Sequence, residues 1–250
     1  MSYHNIYHRS GVTRLKQLKY SLSFFISLLF STGYAQQYPA DKLPVHTFEV
    51  KGSTKPMILY ITGDGGWNTF SQNLTQEFTK QQYSVIALDA REYFWDERTP
   101  DEFSTAIEEL LDYYSTKWKK NDFTIVGYSF GADVGAFLLN RLKPATLKKL
   151  KPSVLLSPSA STDFVVRVSE LLGFANADRK YKVLPELTKS KVAVLCVFGE
   201  DEETNLKDSI TETTLLKIKT VSGSHRFNND MNLLSMLITQ AIEQKETKSP

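Results

Sequence analysis

"FTIVGYSFGADVG", residues 123 to 135, runs from a short apolar segment through Gly127-Tyr128-Ser129-Phe130-Gly131 into a helix-forming stretch. Serine is a favoured helix cap, because its hydroxyl can accept one of the orphan N–H groups of the first turn. Ser129 therefore has two readings, cap or nucleophile. A Gly-x-Ser-x-Gly match means little alone. Between a buried-type strand and a helix, however, it is the pattern of the strained elbow that presents a nucleophilic serine above an α/β sheet. The glycines fall where strand and helix approach closely. The second reading requires a base, an acid and oxyanion donors elsewhere in the chain.

The neighbouring segments suit such a sheet. "MILYI" (57 to 61), "YSVIAL" (83 to 88), "FTIVG" (123 to 127), "SVLLS" (153 to 157) and "VAVLCVF" (192 to 198) are continuously apolar. Strands covered on both faces have that character. "HTFEVKG" (46 to 52) and "LLKIKTV" (215 to 221) alternate instead, with Lys217 and Lys219 opposite Leu216 and Ile218, and read as edge strands. Helical patterns fall at 70 to 81, 102 to 118, 131 to 142 and 228 to 244. Alternating strands and helices predict an α/β fold with a mostly parallel central sheet and helices on both faces. The long interruption at 158 to 190 is where an α/β hydrolase holds a lid, although a plain crossover fits equally.

Ahead of this domain, Arg9, Arg14, Lys16 and Lys19 precede the apolar "YSLSFFISLLFSTGYA". That is the pattern of a signal peptide, with Gly33 and Ala35 as the small residues before a cut after Ala35. The alternative is an uncleaved anchor, for which the apolar core is shorter than the ~20 residues that a spanning helix needs. The expected organisation is a signal peptide at 1 to 35 and one folded domain at 36 to 250, with the last few residues frayed. Cleavage removes four of the 30 basic residues and none of the 28 acidic ones, leaving a net charge of about −2. Nothing in that balance points to nucleic acid. Lone Cys196 in "VAVLCVF" excludes an internal disulfide framework and reads as a buried small hydrophobe.

The search for a base is short. His4 and His8 leave with the signal peptide, and His46 precedes the first strand. His225 remains, in the Gly/Ser loop "SGSHRF" directly after the last strand, where this fold presents its imidazole. The acid should follow the strand before it. "FGEDEET" supplies Glu200, Asp201, Glu202 and Glu203; spacing favours Glu202, with Asp201 as runner-up. The order Ser, acid, His is that of α/β hydrolases. Oxyanion donors are expected from the Phe130 N–H and from the loop "TGDGGW" (62 to 67), with Asp64 and Gly65 as candidates. No cofactor is expected. Two histidines and one buried-type cysteine are too few for a zinc site, and no phosphate-binding loop is present.

"GDGGW", "DAREYFWDERTPDE", "GYSFGADV", "RLKP", "LCVFGEDEE" and "SGSHRF", in this order and spacing, resemble the bacterial virulence protein VirJ family and the C-terminal domain of its homologue AcvB. The likeness covers nearly the whole mature chain. Its "YFW..RTP" element, Tyr93 to Pro100, is far more specific than the serine motif. The resemblance implies an α/β-hydrolase fold and a periplasmic location. It also implies a Ser129, His225 and acid set hydrolysing an aminoacyl lipid such as lysyl-phosphatidylglycerol at the outer face of the inner membrane. VirJ's link to type IV secretion implies a rival role as a secretion-system component. One departure from the family pattern is Arg226, where members often carry a second histidine.

An aminoacyl ester brings a free ammonium near the scissile carbonyl, which calls for a nearby acid. Asp133, four residues after Ser129, and Asp64, in the oxyanion loop, are the candidates; Asp133 also has the blander reading of a helix-end charge. Tyr93, Phe94 and Trp95 are either core or an apolar rim, and Asp89 and Arg91 either pocket groups or a structural pair.

Overall fold

The computed structural model describes residues 42–167, 179–203 and 205–243. The segments expected to be a signal peptide and a frayed tail, and the middle of the 158 to 190 interruption, lie outside the described residues. Strands β1 (Val45–Phe48), β2 (Met57–Ile61), β3 (Val85–Leu88), β4 (Phe123–Tyr128) and β5 (Ser153–Leu156) come first in the chain. β6 (Ser161–Thr162) and β7 (Tyr181–Lys182) form a small separate hairpin, and β8 (Val194–Gly199) and β9 (Leu216–Val221) follow. The main sheet has seven strands in the order β1-β3-β2-β4-β5-β8-β9. Only β1 runs antiparallel, against β3.

Every residue of β2, β3, β4 and β5 is buried, as the continuous apolar runs require of strands covered on both faces. The two alternating segments become the two edges. β1 is shorter than "HTFEVKG", and its outer residues face solvent. In β9, Lys217 and Lys219 are exposed while Leu216 is buried, which discourages pairing with another chain.

The helices are α1 (Thr69–Lys80), α2 (Ala90–Tyr93), α3 (Pro100–Trp118), α4 (Phe130–Leu138), α5 (Pro144–Leu147), α6 (Leu184–Lys189), α7 (Asn205–Ser209) and α8 (Met231–Glu243). On one face of the sheet, Phe70, Leu74 and Phe78 of α1 join Leu234, Ile238 and Ile242 of α8 over Tyr60, Val126 and Val154. On the other, Phe103, Ile107 and Leu110 of α3 pack with α4 over Leu59, Ile125 and Leu155. No helix among the described residues is long and apolar enough to cross a membrane.

Three element boundaries differ from expectation. α3 starts at Pro100, because Thr99 and Glu102 form a reciprocal capping box around a proline at the first position. α4 stops at Leu138 rather than 142. α8 starts at Met231 rather than 228, because Phe227, Asn228 and Asn229 all take left-handed backbone conformations, with φ of 53, 54 and 55°. That turn follows His225 and returns the chain to the sheet.

"YFW" divides: Tyr93 and Phe94 are buried among Phe103, Phe130 and Phe164, whereas Trp95 is exposed. An apolar rim made of all three is therefore corrected, because edge-to-face packing uses two of them in the core. A pairing of Asp89 with Arg91 is corrected too. The Asp89 carboxylate caps α2, accepting the Glu92 N–H, and also accepts the Trp67 N–H. Of the interruption at 158 to 190, the described part is the hairpin, α6 and Phe164, which is buried against Phe137 and Tyr181.

Candidate active site

Parallel strands end together, so the segments that leave their C-terminal ends converge above the sheet. Here those segments are the Gly63–Gly66 loop after β2, Ser129 after β4, Ser157 after β5, Glu202 after β8 and His225 after β9.

Ser129 sits between β4 and α4 with φ 52° and ψ −121°, a backbone conformation that costs a non-glycine residue roughly 1–3 kcal/mol. The surrounding contacts hold it there. Its N–H donates to Leu156 O at 2.8 Å, tying the elbow to β5. At Gly127 a Cβ would meet Gly131 O at 2.5 Å, and at Gly131 it would strike the carbonyl oxygens of Ile61 and Thr62. Only glycine permits so close a crossing of helix and strand. The Ser129 hydroxyl caps nothing. Its Oγ lies 2.9 Å from His225 Nε2 instead.

His225 is held from its other side. Nδ1 lies 2.6 Å from Glu202 Oε1, and the Tyr128 hydroxyl donates to the His225 carbonyl oxygen at 3.3 Å. A proton on Nδ1 facing a carboxylate leaves Nε2 to accept from the Ser129 hydroxyl. Burial pushes the Tyr128 phenol up to about 12 against the opposing pull of Arg226, so it remains a neutral donor.

Glu202 is largely covered, and its second oxygen, Oε2, accepts from Ser157 Oγ at 2.7 Å and from the Gly199 N–H at 3.2 Å. Burial alone would raise this carboxyl. The hydrogen bonds from His225, Ser157 and Gly199 outweigh it and hold the group below the usual glutamate range. Asp201, one residue earlier, is exposed, and the imidazole partner is Glu202. The Asp201 backbone N–H donates to Gly223 O at 3.1 Å.

The model of the family described as bacterial virulence protein (VirJ) matches residues 55–246. The chain belongs to that family. Its solved structural neighbours are α/β hydrolases. MenH from S. aureus superposes with a TM-score of 0.60 at 17% identity, over 80% of this chain and 97% of that one. A lipase-esterase related protein from Clostridium acetobutylicum gives 0.59 at 15% identity, over 80% and 99%. The Pyrococcus furiosus esterase Pf2001 gives 0.57 at 12% identity, over 82% and 92%. At these identities the likeness is one of fold. No curated protein matches the chain by sequence.

The glycine loop of this VirJ-family chain runs against the serine. A Cβ at Gly63 would lie 3.4 Å from Ser129 Cβ. The Gly66 N–H donates to Gly63 O at 3.0 Å, closing a turn with Asp64 and Gly65 at its centre. Among the described residues, the N–H groups of Asp64, Gly65 and Phe130 donate to no protein acceptor. Asp64 is half-buried, and among the described residues its carboxylate holds no hydrogen bond or ion pair.

Asp133 is placed differently from its reading as an amine partner. Its side chain is 1% exposed and accepts the Ser159 N–H at 2.5 Å. Burial pushes its carboxyl up to about 7, only partly offset by hydrogen bonds from Ser159 and by Arg179 and His225. A group so enclosed and so engaged does not open toward a substrate amine, and that expectation is corrected. His46 stacks on Trp67 with ring centroids 4.3 Å apart. Ser157 was missed in the sequence: it is simply the polar end of "SVLLS", and its contact depends on a left-handed φ of 49°.

Proposed function

We propose that this chain is a periplasmic serine hydrolase that cleaves an aminoacyl ester, lysyl-phosphatidylglycerol being the substrate implied by the family likeness. The observation that carries this reading is the continuous chain Ser129 Oγ, His225 and Glu202, with separations of 2.9 and 2.6 Å. His225 Nε2 takes the Ser129 proton as Oγ attacks the ester carbonyl. Glu202 holds the imidazole tautomer and stabilises the imidazolium that forms.

The tetrahedral oxyanion is received by the Phe130 N–H and by an N–H of the Asp64–Gly65 turn. These donors carry no protein partner among the described residues and so need no reorganisation. His225 then protonates the leaving alcohol, and water resolves the acyl-enzyme by the same base. Asp64, half-buried in the oxyanion turn with a carboxylate that holds no hydrogen bond or ion pair among the described residues, is the residue we assign to the substrate ammonium. The His225 side chain is 45% exposed, which suits a substrate arriving from a surface rather than a sealed pocket.

The experiment is lysine release from phosphatidylglycerol vesicles doped with lysyl-phosphatidylglycerol. Release by wild type that Ser129→Ala abolishes supports the reading. Release by neither, with other esters still cleaved, would move the substrate to another ester or amide. The virulence description of the family favours a second reading, a non-catalytic secretion or virulence partner with the same fold. Inertness of wild type toward every ester would favour it.

A further inference from the structure

The turn that ends β5 touches the candidate site at three successive points. Leu156 O accepts the Ser129 N–H at 2.8 Å, Ser157 Oγ donates to Glu202 Oε2 at 2.7 Å, and the Ser159 N–H donates to Asp133 Oδ1 at 2.5 Å. Three residues within a four-residue stretch thus hold the nucleophile elbow, the acid and the helix that follows the nucleophile. We propose that Ser157 is a positioning residue for the Glu202 carboxylate, seated by a turn that Asp133 clamps from α4. The proposal rests on the serine-hydrolase reading and gives Ser157 and Asp133 roles that neither the family match nor the sequence pattern assigns.

A carboxylate bonded through one oxygen only can swing about its Cγ–Cδ bond and lose the His225 contact. Glu202 is gripped through both oxygens, Oε1 by the imidazole and Oε2 by Ser157 and the Gly199 N–H. That grip fixes the carboxylate plane, and with it the direction in which the imidazole is held. Ser157 is fully buried and takes φ 49°, a conformation in which glycine would carry no strain. A serine tolerated there supplies what glycine cannot, a hydroxyl aimed at the acid.

Asp133 completes the support. Its carboxylate is shut from solvent on the helix that begins one residue after Ser129, so the Ser157–Ser159 turn moves with the elbow. Arg179 and His225 are the charged or titratable groups that act on it, together with the Ser159 hydrogen bonds.

The test compares wild type, Ser157→Gly, Asp133→Ala and Asp133→Asn for p-nitrophenyl acetate hydrolysis, following kcat, KM and the acid limb of the pH profile, with thermal melts to establish folding. Ser157→Gly is expected to remain folded and to lose roughly tenfold in kcat with a smaller change in KM, the scale of a hydrogen bond to a charged group. Its acid limb is expected to move to higher pH, because Glu202 loses a donor that favours its charged form. Asp133→Ala is expected to lower kcat in the same sense. Asp133→Asn, which keeps an acceptor oxygen for the Ser159 N–H, is expected to recover most of that loss.

A folded Ser157→Gly with wild-type kcat and acid limb, on an active wild type, would overturn the assignment alone; should glycine not fold, Ser157→Ala carries the same outcomes. An Asp133→Ala variant that is folded and fully active would overturn the clamp. A wild type inert to p-nitrophenyl acetate and to a fluorophosphonate would overturn the hydrolase reading, and this inference with it.

Discussion

Asp133 and Ser159 meet through one short hydrogen bond, the Ser159 N–H donating to a carboxylate that the fold has removed from water. Burial pushes its carboxyl up to about 7, above the ordinary aspartate value that the unfolded chain retains. Below the unfolded value both states are protonated. As pH rises toward 7, the unfolded chain ionises while the folded one does not, so stability falls across that window. Asp133→Asn is expected to remove this slope, on the order of a few kcal/mol, and to melt relatively higher at alkaline than at acid pH. Parallel melting curves for the two proteins across pH would contradict it.

Glu202 and Asp201 separate cleanly by substitution. Glu202→Gln keeps the shape but loses the charge that faces Nδ1, and is expected to lower kcat by about 10³- to 10⁴-fold toward any ester that wild type cleaves. Asp201→Asn, at an exposed position, is expected to stay within about twofold of wild type. Steady-state kinetics on the two variants decide this, and equal losses would return the acid to an open choice.

Glu202 also contributes to stability with the opposite pH dependence from Asp133. Its folded value is depressed, so its contribution is present above the unfolded glutamate value and is lost as pH falls through the folded one. Glu202→Gln is therefore expected to flatten the acid side of the stability curve. Urea midpoints measured at successive acid pH values check it.

The crossing of β2 and α4 sets a steric limit. Gly131→Ala would place a Cβ against the carbonyl oxygens of Ile61 and Thr62, and neither backbone can yield without shifting the oxyanion turn. The expected cost is about 2–4 kcal/mol in urea unfolding, with reduced reactivity of Ser129 in the fraction that remains folded. Wild-type stability in that variant would contradict the close packing.

Much of the site was legible because its parts lie in order along the chain. Ser129 was visible from the glycines around it, and His225 from being the histidine that follows the last strand. Glu202 was favoured by its distance from Gly199, and the structure puts that residue, not Asp201, on the imidazole. The edge strands were legible from the alternation of Lys217 and Lys219 with their apolar neighbours. Ser157 was not, because its role depends on a backbone conformation that serine rarely adopts and on a partner 45 residues away. Asp133 was misassigned because helical spacing gives the face a side chain occupies but not the loop that covers it. The late start of α8 escaped the periodicity for a similar reason: Asn228 and Asn229 look helical in pattern and are left-handed in fact.

Asp64 offers a specific check on the substrate. If its carboxylate meets the ammonium of an aminoacyl ester, Asp64→Asn is expected to raise KM for a lysyl ester roughly tenfold while leaving an uncharged acyl ester less affected. Paired kinetics on the two substrates report the difference, and identical changes on both would remove Asp64 from substrate recognition.

The most direct measurement for the whole account is fluorophosphonate labelling of the folded protein, with the adduct located by peptide mass. A single adduct on Ser129, abolished in Ser129→Ala and slowed in Glu202→Gln, is the predicted result. An adduct elsewhere, labelling that persists in Ser129→Ala, or no adduct on folded wild type would contradict the claim that Ser129, His225 and Glu202 form a working nucleophilic site.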